Sequence, residues 1–279
     1  MADADPRDWI GREFHDEDTL CERLICEFRA TIDPCLAAVE KGTAPLGVHW
    51  CLFPTIEPMT GLGEDGHPAK YPYLPPSPLP RRMWAGGTLE LIAPLRVGDR
   101  ITRKTVISNI TRKRGRSGEL WFVTLKHDYV TKRGTAISEC EDIVYRDLAK
   151  TEPSLTARPD PGAEGSELSL VWQIRTGPAL LFRYSAVIFV SHRIHYDLPY
   201  ATEVEGYDGL VVHGPLQATL LLNAVTQVRD GSPPTHLSYR AVAPAICGDV
   251  LSVCVEAAGQ GKFHTRSARG IHMTGSVEG

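Results

Sequence analysis

Apolar residues in the first part of the chain follow two rhythms. Leu20, Leu24, Ile25 and Phe28 recur at i, i+4, i+5 and i+8, which predicts a helix with Asp16 or Asp18 as its N-cap. Asp33-Pro34 ends that pattern, and Pro34 can serve as the first-turn residue of a second short helix over 34–39. Residues 54–82, PTIEPMTGLGEDGHPAKYPYLPPSPLPRR, carry no period and are dense in Pro and Gly. A connection of that length inside a compact unit is usually functional or covers something. From Gly87 the rhythm changes to β-branched and aromatic runs: TLELIAPLRVGDRITRKTVISNI, LWFVTLKHDYV and TAISECEDIVYRD. Turn signals at Val97-Gly98-Asp99, Arg114-Gly115-Arg116-Ser117-Gly118 and Lys132-Arg133-Gly134 separate them, predicting an antiparallel meander.

A polar, Pro- and Gly-rich stretch follows, DLAKTEPSLTARPDPGAEGSE. It predicts a first lobe over 1–147, a linker over 148–167 and a second lobe over 168–279. The second lobe reads as a strand region over 168–189, a helix over 215–229, and strands over 235–243, 249–258 and 262–274. APAICGDVLSV (243–253) echoes APLRVGDRITR (93–103), with Ala-Pro, then Gly-Asp, then a strand at the same spacing. Two copies of one helix-plus-sheet unit are therefore expected. In PLQATLLLNAVTQV the apolar positions 216, 218, 220, 221, 222, 224, 225 and 228 lie nearly all round the cylinder. Such a helix must be enclosed, and a sheet curled around it would do so.

Composition narrows the function classes. Hydrophobic residues at 42% and charged residues at 23% are those of a globular protein. Thirty basic against 34 acidic side chains leave a net charge of -4, which argues against a nucleic-acid partner. No apolar run approaches the roughly 18 residues of a membrane span. The opening MADADPRDWI has no apolar core of a signal peptide. Seven cysteines without a C-x-x-C pair read as reduced thiols. A cytoplasmic protein without a membrane partner is expected.

The chemistry concentrates in FVSHRIHYDLPYATEVEGYDGLVVHGPL (189–216), which holds three of the ten histidines. His192-x-x-His195 has no third ligand at recognisable spacing, so no metal is expected. Ser185 and Ser191 stand outside any G-x-S-x-G elbow, and Cys140 and Cys247 lack a context that marks a thiolate. Asp197, before Leu-Pro, fits the N-cap of a short helix over 198–204 better than a catalytic role. A general acid/base centre fits the segment best. Gly214-Pro215 has the form of a helix start, whose free N–H groups suit the developing charge of a thioester enolate. A neutral imidazole could then move a proton at the adjacent carbon. His213 either lines such a pocket or bonds to backbone.

These motifs carry a resemblance. YSAVIFVSHRIHYDLPYA followed by GLVVHGPLQATLLL resembles the hydratase 2 motif of MaoC-like (R)-specific enoyl-CoA hydratases and dehydratases. DWIGREFHDEDTL, HWCLFP, LGEDGHP and LPPSPLPRRMWAGGTLELIAPLRVGD resemble the mesaconyl-C4-CoA, itaconyl-CoA and 3-methylfumaryl-CoA hydratase group. The resemblance implies an α+β double hotdog with a degenerate first lobe. It implies a hydro-lyase that acts on an α,β-unsaturated CoA thioester without metal or redox cofactor, in a possible homodimer. It places the catalytic histidine on His195 and the oxyanion glycine on Gly214. The family's Asp or Asn five residues before that histidine is Val190 here. His192 becomes the candidate second polar contact. Arg193, Arg82 and Arg81 are candidates to clamp a substrate carboxylate, His213 is a candidate substrate contact, and Arg112-Lys113-Arg114-Gly115-Arg116 is a candidate for CoA phosphates. The alternatives are an acyl-CoA thioesterase on the same fold and, because of Val190, a non-catalytic thioester-binding module.

Overall fold

The computed structural model describes residues 5–76, 79–115, 118–147, 168–256 and 261–278. The expected linker at 148–167 and Arg116 lie outside the described residues. Among the described residues ten antiparallel strands form one continuous sheet: β1 (Glu13–Thr19), β2 (Arg81–Leu91), β3 (Arg100–Gly115), β4 (Gly118–Thr131), β5 (Gly134–Arg146), β6 (Leu168–Arg175), β7 (His236–Ala241), β8 (Val250–Glu256), β9 (Gly261–Ser267) and β10 (Gly270–Glu278). Their order is β1-β3-β4-β5-β2-β7-β10-β9-β8-β6. Read outward from the central β2–β7 pair, each half has the same order of strands, so the repeat expected from Ala-Pro…Gly-Asp is a repeat of strand topology. Matching ion pairs mark it. Asp99 pairs with Arg133 at the β4–β5 turn, and Asp249 pairs with Arg269 at the β9–β10 turn.

Among the described residues three α-helices accompany the sheet: α1 (Glu22–Ile32), α2 (Pro178–Val187) and α3 (Gly214–Val228). Every residue of α3 from Leu216 to Thr226 is buried, as its all-round apolar pattern requires. Gln217 accepts from Thr265 Oγ1 at 2.7 Å, and Thr226 Oγ1 donates to the Leu222 carbonyl at 2.9 Å. Asn223 accepts from the Ala37 N–H at 3.1 Å and donates to the Leu46 carbonyl at 3.0 Å, pinning a loop of the other half to α3. Helix α3 packs on β6, β7, β8 and β9. In the first half, the inner face of β3, β4 and β5 lines a cavity instead.

Several expectations are corrected. Asp16 and Asp18 do not cap α1; both lie in edge strand β1, and Cys21 is the N-cap without a side-chain bond. The alternating exposure of EFHDEDT shows why a strand wins there: one face turns to solvent. Residues 34–39 form a turn and extended chain, not a helix. The strand region over 168–189 is β6 followed by α2. Gly177-Pro178 starts α2 with the same residues that start α3, and the buried positions Leu181, Tyr184, Ser185 and Val187 have helical spacing. The single strand over 262–274 is the hairpin β9–β10. Asp197 caps the helical turn expected over 198–204, accepting from the Tyr200 N–H at 3.2 Å, and that turn is π-helical over Tyr200–Val204. Among the described residues no helix is long and apolar enough to cross a membrane.

Candidate active site

The histidine segment leaves α2 and arrives at α3 by way of a tight 3-10 turn, Arg193–His195. His195 is 8% exposed. Its Nδ1 lies 2.7 Å from the Val211 carbonyl oxygen, which can only accept, so Nδ1 carries the proton and Nε2 the lone pair. Burial pushes its pKa down to about 4, with the Val211 carbonyl opposing. The ring is thus a neutral base at physiological pH.

His213 stacks on it, ring centroids 3.6 Å apart and planes 18° from parallel. That residue is 1% exposed, bonds Ser185 Oγ through Nε2 at 2.8 Å, and does not line the cavity. It backs His195. Gly214 follows as the first residue of α3, with an N–H that has no intrahelical acceptor. A Cβ on Gly214 would lie 2.5 Å from Trp84 Cε3, so only glycine lets the indole close over this helix end.

A loop of the first half completes the cluster. Residues 64–67 are stitched to the histidine segment: the Arg193 N–H donates to the Asp65 carbonyl at 2.9 Å, and Ser191 Oγ donates to the Gly66 carbonyl. Gly66, at φ 83°, approaches Ser191 too closely for any side chain. This brings His67 against His192, ring centroids 4.1 Å apart, while His192 meets His195 edge-on at 5.4 Å. Asp65 accepts from His67 Nδ1 at 3.2 Å and from its backbone N–H at 3.0 Å. Burial works against ionisation of Asp65, but the bonds from His67 outweigh it and hold the carboxyl below its ordinary range. With Nδ1–H given to Asp65, the lone pair of His67 is on Nε2.

His192 is neutral as well, through burial and its imidazole neighbours. Ligand atoms of Asp65, His67 and His192 lie within 4.8 Å of one another, a set that could hold a metal ion.

A cavity of about 620 Å³ opens beside this cluster. Its wall includes His67, Trp84, Val190, Ser191, Tyr196 and Pro215, whereas His192, His195 and Gly214 are set back from it. Much of the aperiodic stretch between Pro54 and Tyr73 lines the same space. Val190 presents an aliphatic side chain to the cavity and fixes its own backbone N–H on the Ser185 carbonyl at 2.9 Å.

The candidate arginines stand apart from the cavity wall. Arg193 binds Asp197 at 2.7 Å and the Glu64 carbonyl at 2.9 Å while lying over Tyr200, so it braces the loop. Arg81 pairs with Glu205 at 2.8 Å, and Arg82 lies over the Tyr71 ring at 4.0 Å. Arg112 pairs with Glu119 at the β3–β4 hairpin.

Sequence reasoning missed Asp65, His67 and Trp84 as parts of the site. The first two stand in the quoted LGEDGHP, but nothing in their spacing announces contact with a segment some 120 residues later. It also missed a polar group on the inner face of β3–β5. Arg103, His127 and Glu139 are buried there, at inward positions of alternating strands. A charge in an inward row is a readable signal.

Residues 47–247 match the family described as hydroxyacyl-thioester dehydratase type 2. The chain is 40% identical over 246 residues to mesaconyl-C(4)-CoA hydratase of Chloroflexus aurantiacus, covering 88% of this chain and 86% of that protein. It is 24% identical over 274 residues to the mitochondrial hydroxyacyl-thioester dehydratase type 2 of Schizosaccharomyces pombe, covering 87% and 90%. Among solved structures, HtdX of Mycobacterium tuberculosis superposes with a TM-score of 0.66 at 17% identity, over 96% of this chain and all of that one. Another protein of that organism, described as a double hotdog, gives 0.54 at 14% identity over 96% of each chain. These two likenesses concern the fold, which is a double hotdog. The chain belongs to the hydroxyacyl-thioester dehydratase type 2 family of MaoC-like hydro-lyases.

Proposed function

We propose that this protein adds water to, and removes it from, a short branched enoyl-CoA that carries a second carboxylate, of the mesaconyl-, itaconyl- or methylfumaryl-CoA type. The identity to mesaconyl-C(4)-CoA hydratase supports that substrate class. The observation that carries the chemistry is the buried, neutral His195, fixed as the Nδ1–H tautomer beside the free N–H end of α3.

In the hydration direction Nε2 of His195 takes a proton from water as the water oxygen bonds to the β-carbon. The π electron pair moves through the α-carbon onto the thioester oxygen, where the Gly214 N–H meets the developing charge. The imidazolium then returns the proton to the α-carbon, the carbonyl re-forms, and H and OH have been added across the double bond. Dehydration is the reverse. No metal or redox group enters these steps.

His67 serves as the second polar contact for the water, oriented by Asp65, on the cavity wall where Val190 is silent. His213 and Ser185 hold the rear of His195. We place the enzyme in the cytoplasm, where its seven free cysteines stay reduced.

Loss of the enoyl-thioester absorbance of mesaconyl-C4-CoA tests the reading. His195→Gln should lower turnover at least about 10²-fold, the scale of general acid/base catalysis. Wild-type-like turnover by that variant would remove His195 from the mechanism.

A further inference from the structure

A hotdog half normally fills the hollow of its sheet with a helix, and α3 does this for β6–β10. On the β3–β5 side, the hollow is part of the 620 Å³ cavity, and its floor is polar. Arg103 of β3, His127 of β4 and Glu139 of β5 point inward, 8%, 2% and 3% exposed. Burying such groups against an apolar acyl chain costs free energy without return, so their partners decide what the floor is for.

The acceptors on this floor are taken up by the protein. Glu139 receives Trp50 Nε1 at 2.8 Å, Tyr129 OH at 2.9 Å and Tyr239 OH at 3.1 Å. Glu141 Oε2 lies 3.0 Å from His127 Nε2, whose other nitrogen meets Thr105 Oγ1 at 2.8 Å. A donor is left over. Arg103 gives one Nη2 to Asp16 at 2.9 Å, its cross-strand neighbour on edge strand β1, and its Nε is buried with no partner. Its guanidinium is held between Phe53 and Tyr73, 4.7 and 5.3 Å from the ring centroids, so its position is set by packing. His49 Nε2, also on the cavity wall, is likewise buried and unbonded. The floor therefore keeps one cationic donor unused, the Arg103 Nε, beside a neutral His49 imidazole.

We propose that Arg103, assisted by His49, is the anchor for a carboxylate at the far end of the acyl group, and so the residue that selects carboxyl-ended over methyl-ended acyl-CoA. This rests on reading the cavity as the acyl-thioester site. It assigns the anchoring to a residue in the first half of the chain, across the cavity from the histidines, in place of Arg81, Arg82 or Arg193.

The test uses saturated thioesters, which cannot be hydrated, so it reads binding apart from turnover. Succinyl-, glutaryl- and adipyl-CoA are titrated calorimetrically against butyryl-, pentanoyl- and hexanoyl-CoA. At the chain length that reaches Arg103, the carboxyl-ended member should bind about 10- to 100-fold tighter, the range of a charge-assisted hydrogen bond made out of water. Arg103→Gln should erase that gap while leaving the methyl-ended partner within about twofold, and Arg103→Lys, which keeps the charge but loses the fork, should retain part of it.

The absence of a gap in the wild-type protein at every length would overturn the proposal, and that reading needs no variant to fold. So would a gap that survives Arg103→Gln, or an equal weakening of both members, which would mean that Arg103 only supports the fold. If a gap depends on Arg103 but no enoyl-CoA is hydrated, the hydratase reading fails and the anchor stands. Hydration without a gap sinks the anchor alone.

Discussion

Gly214→Ala tests whether the close fit of Trp84 on α3 matters to catalysis as well as to packing. The new methyl would sit 2.5, 3.0 and 3.4 Å from Trp84 Cε3, Cζ3 and Cδ2. Carbon atoms are at ease at about 3.5–4.0 Å, so the indole or the helix end must retreat by about 1 Å. The indole has little freedom. It stacks on Tyr239 with centroids 4.9 Å apart and meets Trp50 edge-on at 6.3 Å. Both of those rings are tied to Glu139.

Overpacking of this kind costs about 1–3 kcal/mol, offset by up to about 1 kcal/mol from the better helix propensity of Ala. A net loss near 1–2 kcal/mol would lower the Tm of a chain this size by roughly 2–8 °C. If the helix end gives way, the Gly214 N–H moves, and a displacement of about 1 Å costs about 10²-fold in rate. Turnover of the enoyl-CoA and thermal unfolding are read on the same samples. Adding Trp84→Leu removes the obstructing atoms, so the double variant should turn over faster than the product of the two single effects allows. Turnover within twofold of wild type in Gly214→Ala, or strict additivity in the double variant, would refute this reasoning.

Other consequences are open to measurement. His49, His195 and His213 are all buried and their pKa values depressed, to about 3, to about 4 and well below the ordinary value. Below about pH 6.5 the unfolded chain takes protons that the folded one refuses. Stability present above that pH is therefore lost as pH falls, by up to about 1.4 kcal/mol per unit for each ring; a Tm unchanged between pH 7.5 and 5.5 would contradict their burial. Turnover itself should stay insensitive to His195 until pH approaches about 4, so an acid limb centred near 6.5 would show a solvated imidazole. His67→Ala should lower kcat at least about tenfold, and Asp65→Asn by less, as expected of a group that holds water and the group that orients it; equal activity in His67→Ala would return that role to His192. Leu221, wholly enclosed in α3, should cost about 2–5 kcal/mol as Leu221→Ala, read by urea unfolding.

The elements most legible in the sequence are those whose pattern has one physical solution. A helix apolar all round has to be enclosed, and α3 is. Ala-Pro…Gly-Asp written twice led to two topologically equal halves, because in both copies Gly-Asp turns the chain directly into a strand. Strand β1 is hard to read locally because Asp16 and Asp18 satisfy a helix N-cap as readily as positions in an edge strand, where they bond Arg103 and the Phe53 N–H. Only pairing with β3, far along the chain, decides between them.

Helix α2 shows a different failure. The run after Pro178 is apolar enough to pass for a buried strand, although the Gly-Pro before it is the same start signal recognised at Gly214. At the site, the local pattern that singles out His195 and Gly214 as candidates was legible. Their setting was not, since Trp84, Asp65 and His67 arrive through long-range packing that no local spacing encodes.

That setting bears on Val190. His67, His192, His195 and His213 form a line of imidazoles with successive centroid separations of 4.1, 5.4 and 3.6 Å. Two protonated rings so close would repel strongly out of water, so the line holds at most one proton comfortably. A carboxylate at position 190 would favour that proton at rest and raise the resting pKa of its imidazole neighbours. An aliphatic residue does the opposite, leaving burial unopposed on that side. In the proposed mechanism the imidazolium is needed only between the two proton transfers, and a depressed pKa speeds its return of the proton to carbon. What Val190 cannot do is hold the attacking water. His67, on the cavity wall, has a spare lone pair on Nε2 and an orientation fixed by Asp65. In the proposed mechanism the departure at 190 therefore shifts water binding onto the first half of the chain, the same half that holds Arg103, whose Nε has no hydrogen-bond partner.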